Sequence, residues 1–393
     1  MAISENPAAG RYPIAAVALA LMLAGTLLPT PLFELYHRTW HLTPAEISLV
    51  FAVYAASLIP SLIFLGGLSD SIGRRRTILL ALAFLMIGSL IFAFAQGLAW
   101  LIAARVVQGV GMGLGTGAAA AAIREWMPES ERGRAGMVTV IAVAAGSALG
   151  ALLGGILAEY APLPLSLAYV VHIGLVAVVA VAVARVPKCP HPRPPAHSLI
   201  PSIPPAIRRP FFIASAQAFI GWGSFAIFVG LVPAFLSNAL NLHNLLIGAF
   251  VITGIQIGSV TASIFAQRLS TRRSVISALL TLGVGMWLLL LGVAWHAFAL
   301  VGVATLVTGA GGGLSYLVGL NIVAGISPPD HRAEMLSAFL VACYLGFSVP
   351  ALALGIAANE FGLFAAFIGA AIVLGAIATT IIALTSERNL RVA

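Results

Sequence analysis

Two charged residues lie inside long apolar runs. Glu34 stands in Leu28-Pro29-Thr30-Pro31-Leu32-Phe33-Glu34-Leu35-Tyr36, and Arg105 in Arg105-Val106-Val107-Gln108-Gly109-Val110-Gly111. An ionisable side chain in apolar surroundings is costly and marks a functional position by default. Burial raises the pKa of a carboxylate and a nearby arginine lowers it, so a proton or a cation can compete for Glu34. That is proton-exchange chemistry rather than bond-making chemistry. No nucleophile–base pair, phosphate loop or metal-ligand spacing is present, so the chain reads as a non-enzyme without cofactor or metal. His37, His41, His243 and His296 are too scattered for a metal site. His172 reads as a hydrogen-bonded core histidine. Cys189 and Cys343 cannot form a disulfide framework, since one sits in a polar Pro-rich stretch and the other in an apolar run.

The elements that must position these residues are membrane helices. Of 393 residues, 61% are hydrophobic and 8% charged, against roughly 25% charged in an ordinary soluble domain. Such a chain cannot cover its own surface in water, so the lipid bilayer is its main partner. A spanning helix needs about 20 apolar residues. Runs of that kind fall at 13–36, 46–69, 77–97, 99–122, 135–158 and 164–186, then at 211–236, 245–267, 275–295, 297–324, 335–358 and 361–385. The expected fold class is an all-α membrane protein of twelve transmembrane helices. The first run lacks a clear signal-peptide cleavage site and is needed as a member of the repeat below. Pro29 and Pro31 force a break or kink near its end. Counted from the outer ends of spans 1 and 4, Glu34 and Arg105 differ in depth by about 5 Å, within reach of an arginine side chain.

Basic residues set the orientation. With the N-terminus in the cytoplasm, eighteen of the twenty Lys and Arg fall on the cytoplasmic side, as the positive-inside rule requires. Arg38 falls outside and Arg105 within a span. Both termini are therefore expected in the cytoplasm of a multi-pass protein, in a bacterial inner membrane. The net charge of +8 is dispersed over short loops, which argues against a nucleic-acid partner. Nine prolines between 187 and 210 make an extended tether. The expected organisation is a half at 1–186, a linker at 187–210 and a half at 211–393, with no obligate protein partner evident.

The halves echo one another at an offset of 200 residues. Gly109, Gly111, Gly113 and Leu114 match Gly309, Gly311, Gly313 and Leu314; Pro128 and Arg132 match Pro328 and Arg332; Gly146 and Gly155 match Gly346 and Gly355. Two six-helix units in parallel repetition place a substrate cavity between them.

Three motifs carry a family resemblance. The loop Gly66-Gly67-Leu68-Ser69-Asp70-Ser71-Ile72-Gly73-Arg74-Arg75-Arg76 resembles the signature cytoplasmic loop of the major facilitator superfamily, matching at Gly66, Leu68, Asp70, Gly73, Arg74 and Arg75. The resemblance implies a latch in which Asp70 meets the start of span 11 and an arginine of its own loop, with Arg74 and Glu125 as the partners here. A purely topological role is the plainer alternative. Arg105, Gln108 and Gly109 resemble a second family motif; an arginine snorkelling to the outer interface is its alternative. Gly146, Gly150, Gly154 and Gly155 in span 5 resemble the motif of twelve-helix drug:proton antiporters, with Ala151 where that subset has proline. Small-residue packing alone would also account for them.

The resemblance places Phe33, Gln217, Trp222, Gln256, Tyr316, Asn321, Tyr344 and Phe347 around the cavity. As a set they describe a mostly apolar pocket with few polar handles. The expected function is a secondary active transporter, a proton-coupled exporter of small apolar or amphipathic compounds by alternating access, with Glu34 and Arg105 as the coupling pair. A sugar or metabolite uptake symporter or uniporter is the alternative, and a non-transporting receptor or scaffold is a third reading. Glu34 as a headgroup-level acid without a special role is the plainer account of that residue.

Overall fold

The structure is a computed structural model that describes residues 8, 10–187, 203, 205–240, 244–266, 271–328 and 332–385. Much of the Pro-rich linker, His243, Arg268, Arg388 and Arg391 lie outside the described residues. Regular structure among the described residues is entirely helical. Among the described residues, twelve helices are long and apolar enough to cross a membrane, and the chain is a multi-pass integral membrane protein.

The first apolar run is two helices. α1 (Tyr12–Leu27) stops ahead of the two prolines, and α2 (Leu32–Trp40) resumes after them. The turn between them is held by Thr30 N–H to Leu27 O at 3.1 Å and Leu32 N–H to Pro29 O at 3.0 Å. α3 (Pro44–Leu65) opens with a reciprocal cap: the Thr43 amide donates to Glu46 Oε2 at 2.7 Å, and the Glu46 amide to Thr43 Oγ1 at 3.2 Å. It ends at Gly66–Gly67, short of the expected residue 69. The separate helix α4 (Leu68–Ile72) then forms the turn that leads out of α3. Gly73, at φ +91°, leads directly into α5 (Arg74–Ala93), which starts three residues earlier than the apolar run. The rest of this half is α6 (Leu98–Glu125), α7 (Ala135–Tyr160) and α8 (Leu167–Ala184), with a short 3₁₀ turn (Glu129–Arg134) before α7. The second half holds α9 (Arg208–Leu240), α10 (Leu246–Ala266), α11 (Thr271–Ala294), α12 (Phe298–Ile326), α13 (Arg332–Phe361) and α14 (Leu363–Leu384).

Two compact units result. One comprises Met1–Leu35 with Ala56–His197, the other Tyr36–Ala55 with Ser198–Ala393. The outer part of α3 thus belongs to the second unit, where Ser48 and Pro44 border Gly355 of α13. Both units repeat the same packings. Gly146 of α7 lies on the Ala20 carbonyl of α1, and Gly346 of α13 on the Phe219 carbonyl of α9. Gly113 of α6 meets Ser61 of α3, as Gly313 of α12 meets Ser259 of α10. The 200-residue echo therefore has a spatial counterpart at the closest helix crossings, where a side chain would separate the backbones.

Candidate functional site

The break in α1 leaves carbonyls without helical donors. In an α-helix each C=O accepts from the N–H four residues on. Gly25 faces Pro29 in that register, and Leu27 faces Pro31, and neither proline has an N–H. The Thr30 amide turns to Leu27 O, at 3.1 Å, which leaves the Thr26 carbonyl as well. Away from water, an unmet carbonyl costs several kcal/mol.

α6 supplies the missing donors. Gln108 Nε2 donates to Gly25 O at 3.1 Å, and Arg105 Nη1 to Thr26 O at 2.9 Å. Arg105 Nη1 also donates to Gln108 Oε1 at 3.1 Å, so the two side chains brace each other. Their three-residue spacing puts both on one face of α6. Arg105 is 1% exposed, turned in against α1 rather than snorkelling out. Its guanidinium carbon lies 5.7 Å from the ring centres of both Phe33 and Phe92, a cation–π arrangement from two sides. Phe92 in turn stacks on Tyr169 at 4.9 Å. Glu34 follows Phe33 in the first turn of α2 and is half-buried. It thus sits on the segment whose ring covers Arg105.

His172 of α8 reaches the same turn of α1. It is fully buried, with Nε2 3.0 Å from Leu21 O and Nδ1 2.9 Å from Ser89 Oγ. It has the two hydrogen bonds expected of a core histidine, yet it meets the Gly25 turn beside the break. That position had no sequence signal beyond the prolines themselves.

α7 closes the other side of α1. Gly146, Gly150 and Gly154 lie against the carbonyls of Ala20, Ala24 and Leu28, where a β-carbon would collide with backbone. Gly155 is buried beside them.

At the turn between α3 and α5, Arg74 joins two acids. It pairs with Asp70 at 2.6 Å and Glu125 at 2.9 Å, and also donates to Ser69 Oγ at 2.5 Å. Gly66 and Gly73 bracket α4, which carries Asp70; Arg75 is half-buried at the start of α5. The side chain at the start of α13 lies outside the described residues.

In the second unit, Trp222 of α9 gathers aromatic rings from α12 and α13. Tyr344 lies 5.0 Å away, Tyr316 5.8 Å and Phe347 6.3 Å between ring centres. Phe347 also contacts Phe51 and Tyr54 of α3, at 5.9 and 6.2 Å. Gln217 lies on the same helix as Trp222. It precedes Trp222 by five residues, about 140° round the helix, and is fully buried with neither amide atom hydrogen-bonded among the described residues. Asn321 is exposed and Gln256 half-buried.

A broken first helix, an internal repeat and a charged turn between α3 and α5 are the features of a multi-pass membrane bundle built from two related halves. The sequence profile of the Major Facilitator Superfamily matches residues 14–255, and the chain belongs to that family, whose members are transporters rather than enzymes. Among curated proteins it is similar to the niacin transporter NiaP of Acinetobacter baylyi, 30% identical over 97 residues, which are 25% of this chain and 22% of NiaP. It is also similar to multidrug resistance protein 3 of Bacillus subtilis, 32% identical over 110 residues, 28% of this chain and 22% of the relative. The matches thus span about a fifth of those relatives' lengths. Among solved structures, a point mutant of the nucleoside transporter NupG shares the fold, with a TM-score of 0.78 at 12% identity over 95% of this chain and all of that one.

Proposed function

We propose that the chain is a secondary active transporter that exports small apolar or amphipathic compounds in exchange for protons, by alternating access of two six-helix halves (1–186 and 211–393) joined by the 187–210 linker. It would work in a bacterial inner membrane with both termini in the cytoplasm. The observation that carries this reading is the aromatic cluster around Trp222. Rings from three helices converge there, and the six spans of the second half carry no charged residue between their ends. Such a surface suits flat or apolar solutes held by ring contacts and a few hydroxyl and indole donors. A sugar or charged metabolite would need more polar partners than this.

The glycine stripe of α7 and the resemblance of α7 to drug:proton antiporters support exchange, as does the partial similarity to a multidrug resistance protein. In this reading Glu34 takes the proton; it follows Phe33, whose ring lies against Arg105. The test is a compound panel in proteoliposomes under an imposed pH gradient. Apolar and amphipathic members should move against their gradient when protons flow inward. Gradient-independent movement of niacin-like or nucleoside-like solutes alone would replace this reading with uptake.

A further inference from the structure

We infer that His172 is a positioning residue for the hinge at which α1 breaks: its imidazole wedges into the gap left by Gly25 and holds the Leu21–Gly25 turn in place for Gln108 and Arg105. The geometry is specific. A carbonyl oxygen only accepts, so the ring proton sits on Nε2 and donates to Leu21 O at 3.0 Å. Nδ1 then accepts from the Ser89 hydroxyl at 2.9 Å. Leu21 O is also the helical acceptor for the Gly25 amide, so the histidine is tied to the turn that ends at Gly25, four residues before Pro29.

Gly25 is essential to this fit. A β-carbon there would lie 2.5 Å from Cε1 and 2.8 Å from Nε2 of His172, so any larger residue would push the ring off Leu21. The carbonyl of the same glycine takes Gln108, at 3.1 Å. α5 serves both contacts with consecutive residues. Ser89 donates to the imidazole, and Gly88 leaves room for the Gln108 side chain, whose Cγ would be 2.7 Å from a β-carbon at that position. Three helices therefore converge on one turn of α1, just before the segment that carries Phe33 and Glu34. The wedge fixes where the hinge bends, while Arg105 and Gln108 satisfy what the bend exposes.

The turnover arm of the test rests on the transport reading above; the labelling arm does not. In a Cys189→Ser/Cys343→Ser background with Thr30→Cys as reporter, the alkylation rate of residue 30 in membrane vesicles reads hinge opening. His172→Phe keeps the bulk but removes both hydrogen bonds, and Gly25→Ala expels the ring. Each should raise labelling about tenfold, and should lower turnover with little change in KM. His172→Gln, whose amide nitrogen can take the place of Nε2 and donate to Leu21 O, should stay within about twofold of the parent. Gly25→Ala/His172→Ala should label more slowly than Gly25→Ala alone. Parental labelling in His172→Phe would overturn the inference, and so would a folded His172→Gln that labels like His172→Phe. Altered labelling in a parent that transports nothing would support the hinge assignment and count against the transport reading instead.

Discussion

Gln108 on α6 donates to the Gly25 carbonyl on α1 at 3.1 Å, an acceptor that Pro29 leaves without a helical donor. The second family motif and the prolines of the first helix are thereby two halves of one device. Prolines let α1 turn inside the membrane, and the arginine and glutamine of α6 make the turn affordable by replacing its lost hydrogen bonds.

That device predicts a specific rescue. Gln108→Leu strands a buried carbonyl, a cost of about 1–3 kcal/mol, so the thermal midpoint in detergent should fall by several degrees. Adding Pro29→Ala returns an amide four residues from Gly25 and should recover part of the loss. If Gln108→Leu unfolds at the parental temperature, the carbonyl does not depend on α6.

The α7–α1 contact should tolerate no bulk. Gly150→Leu and even Gly146→Ala drive side-chain atoms into the Ala24 and Ala20 carbonyls. Overpacking of this kind costs about 1–3 kcal/mol. Gly136→Ala, on the same helix but with open space around it, is the control and should leave stability and transport unchanged. Equal damage at positions 136 and 146 would show that the close approach to α1 does not govern what α7 tolerates.

Much of this was legible in the sequence, and the exceptions have physical causes. Apolar runs located all twelve spans because lipid forces each helix to satisfy its own backbone. Hydropathy does not register a turn, however, so the run to residue 69 passed through the Gly66–Gly67 stop. The run starting at 77 missed three arginines that Gly73 turns into the first residues of α5. Pro29 and Pro31 announced the break, and the spacing of Arg105 and Gln108 announced a shared face. Their acceptors at Thr26 and Gly25 were hidden, because the pairing crosses about 80 residues of chain.

The cytoplasmic turn should matter more for rate than for stability. The Asp70 and Glu125 side chains are 36% and 43% exposed, so each pair with Arg74 contributes at most about 0.2–1 kcal/mol. Asp70→Asn should therefore unfold within a few degrees of the parent, while slowing transport severely and sparing substrate binding. A shift of about 1 kcal/mol changes the ratio of two conformations by about fivefold. Parental transport by Asp70→Asn would remove the latch from the mechanism.

Sidedness has its own check. A reporter inserted after Arg75 or within 190–200 should be cytoplasmic, and one near His41 external, given that eighteen of twenty basic residues fall on one side. Opposite labelling would invert the orientation assigned to every helix.

The central claim is that protons drive export through Glu34 on the segment beside Arg105. Its most direct test is to count protons released per substrate taken up by proteoliposomes, comparing the parent with Glu34→Gln, Arg105→Ala and the double variant. The account predicts stoichiometric release in the parent and none in Glu34→Gln, which should still bind substrate and exchange it down its gradient. The double variant should behave as Glu34→Gln does. Proton release of parental size from a folded, substrate-binding Glu34→Gln would contradict it.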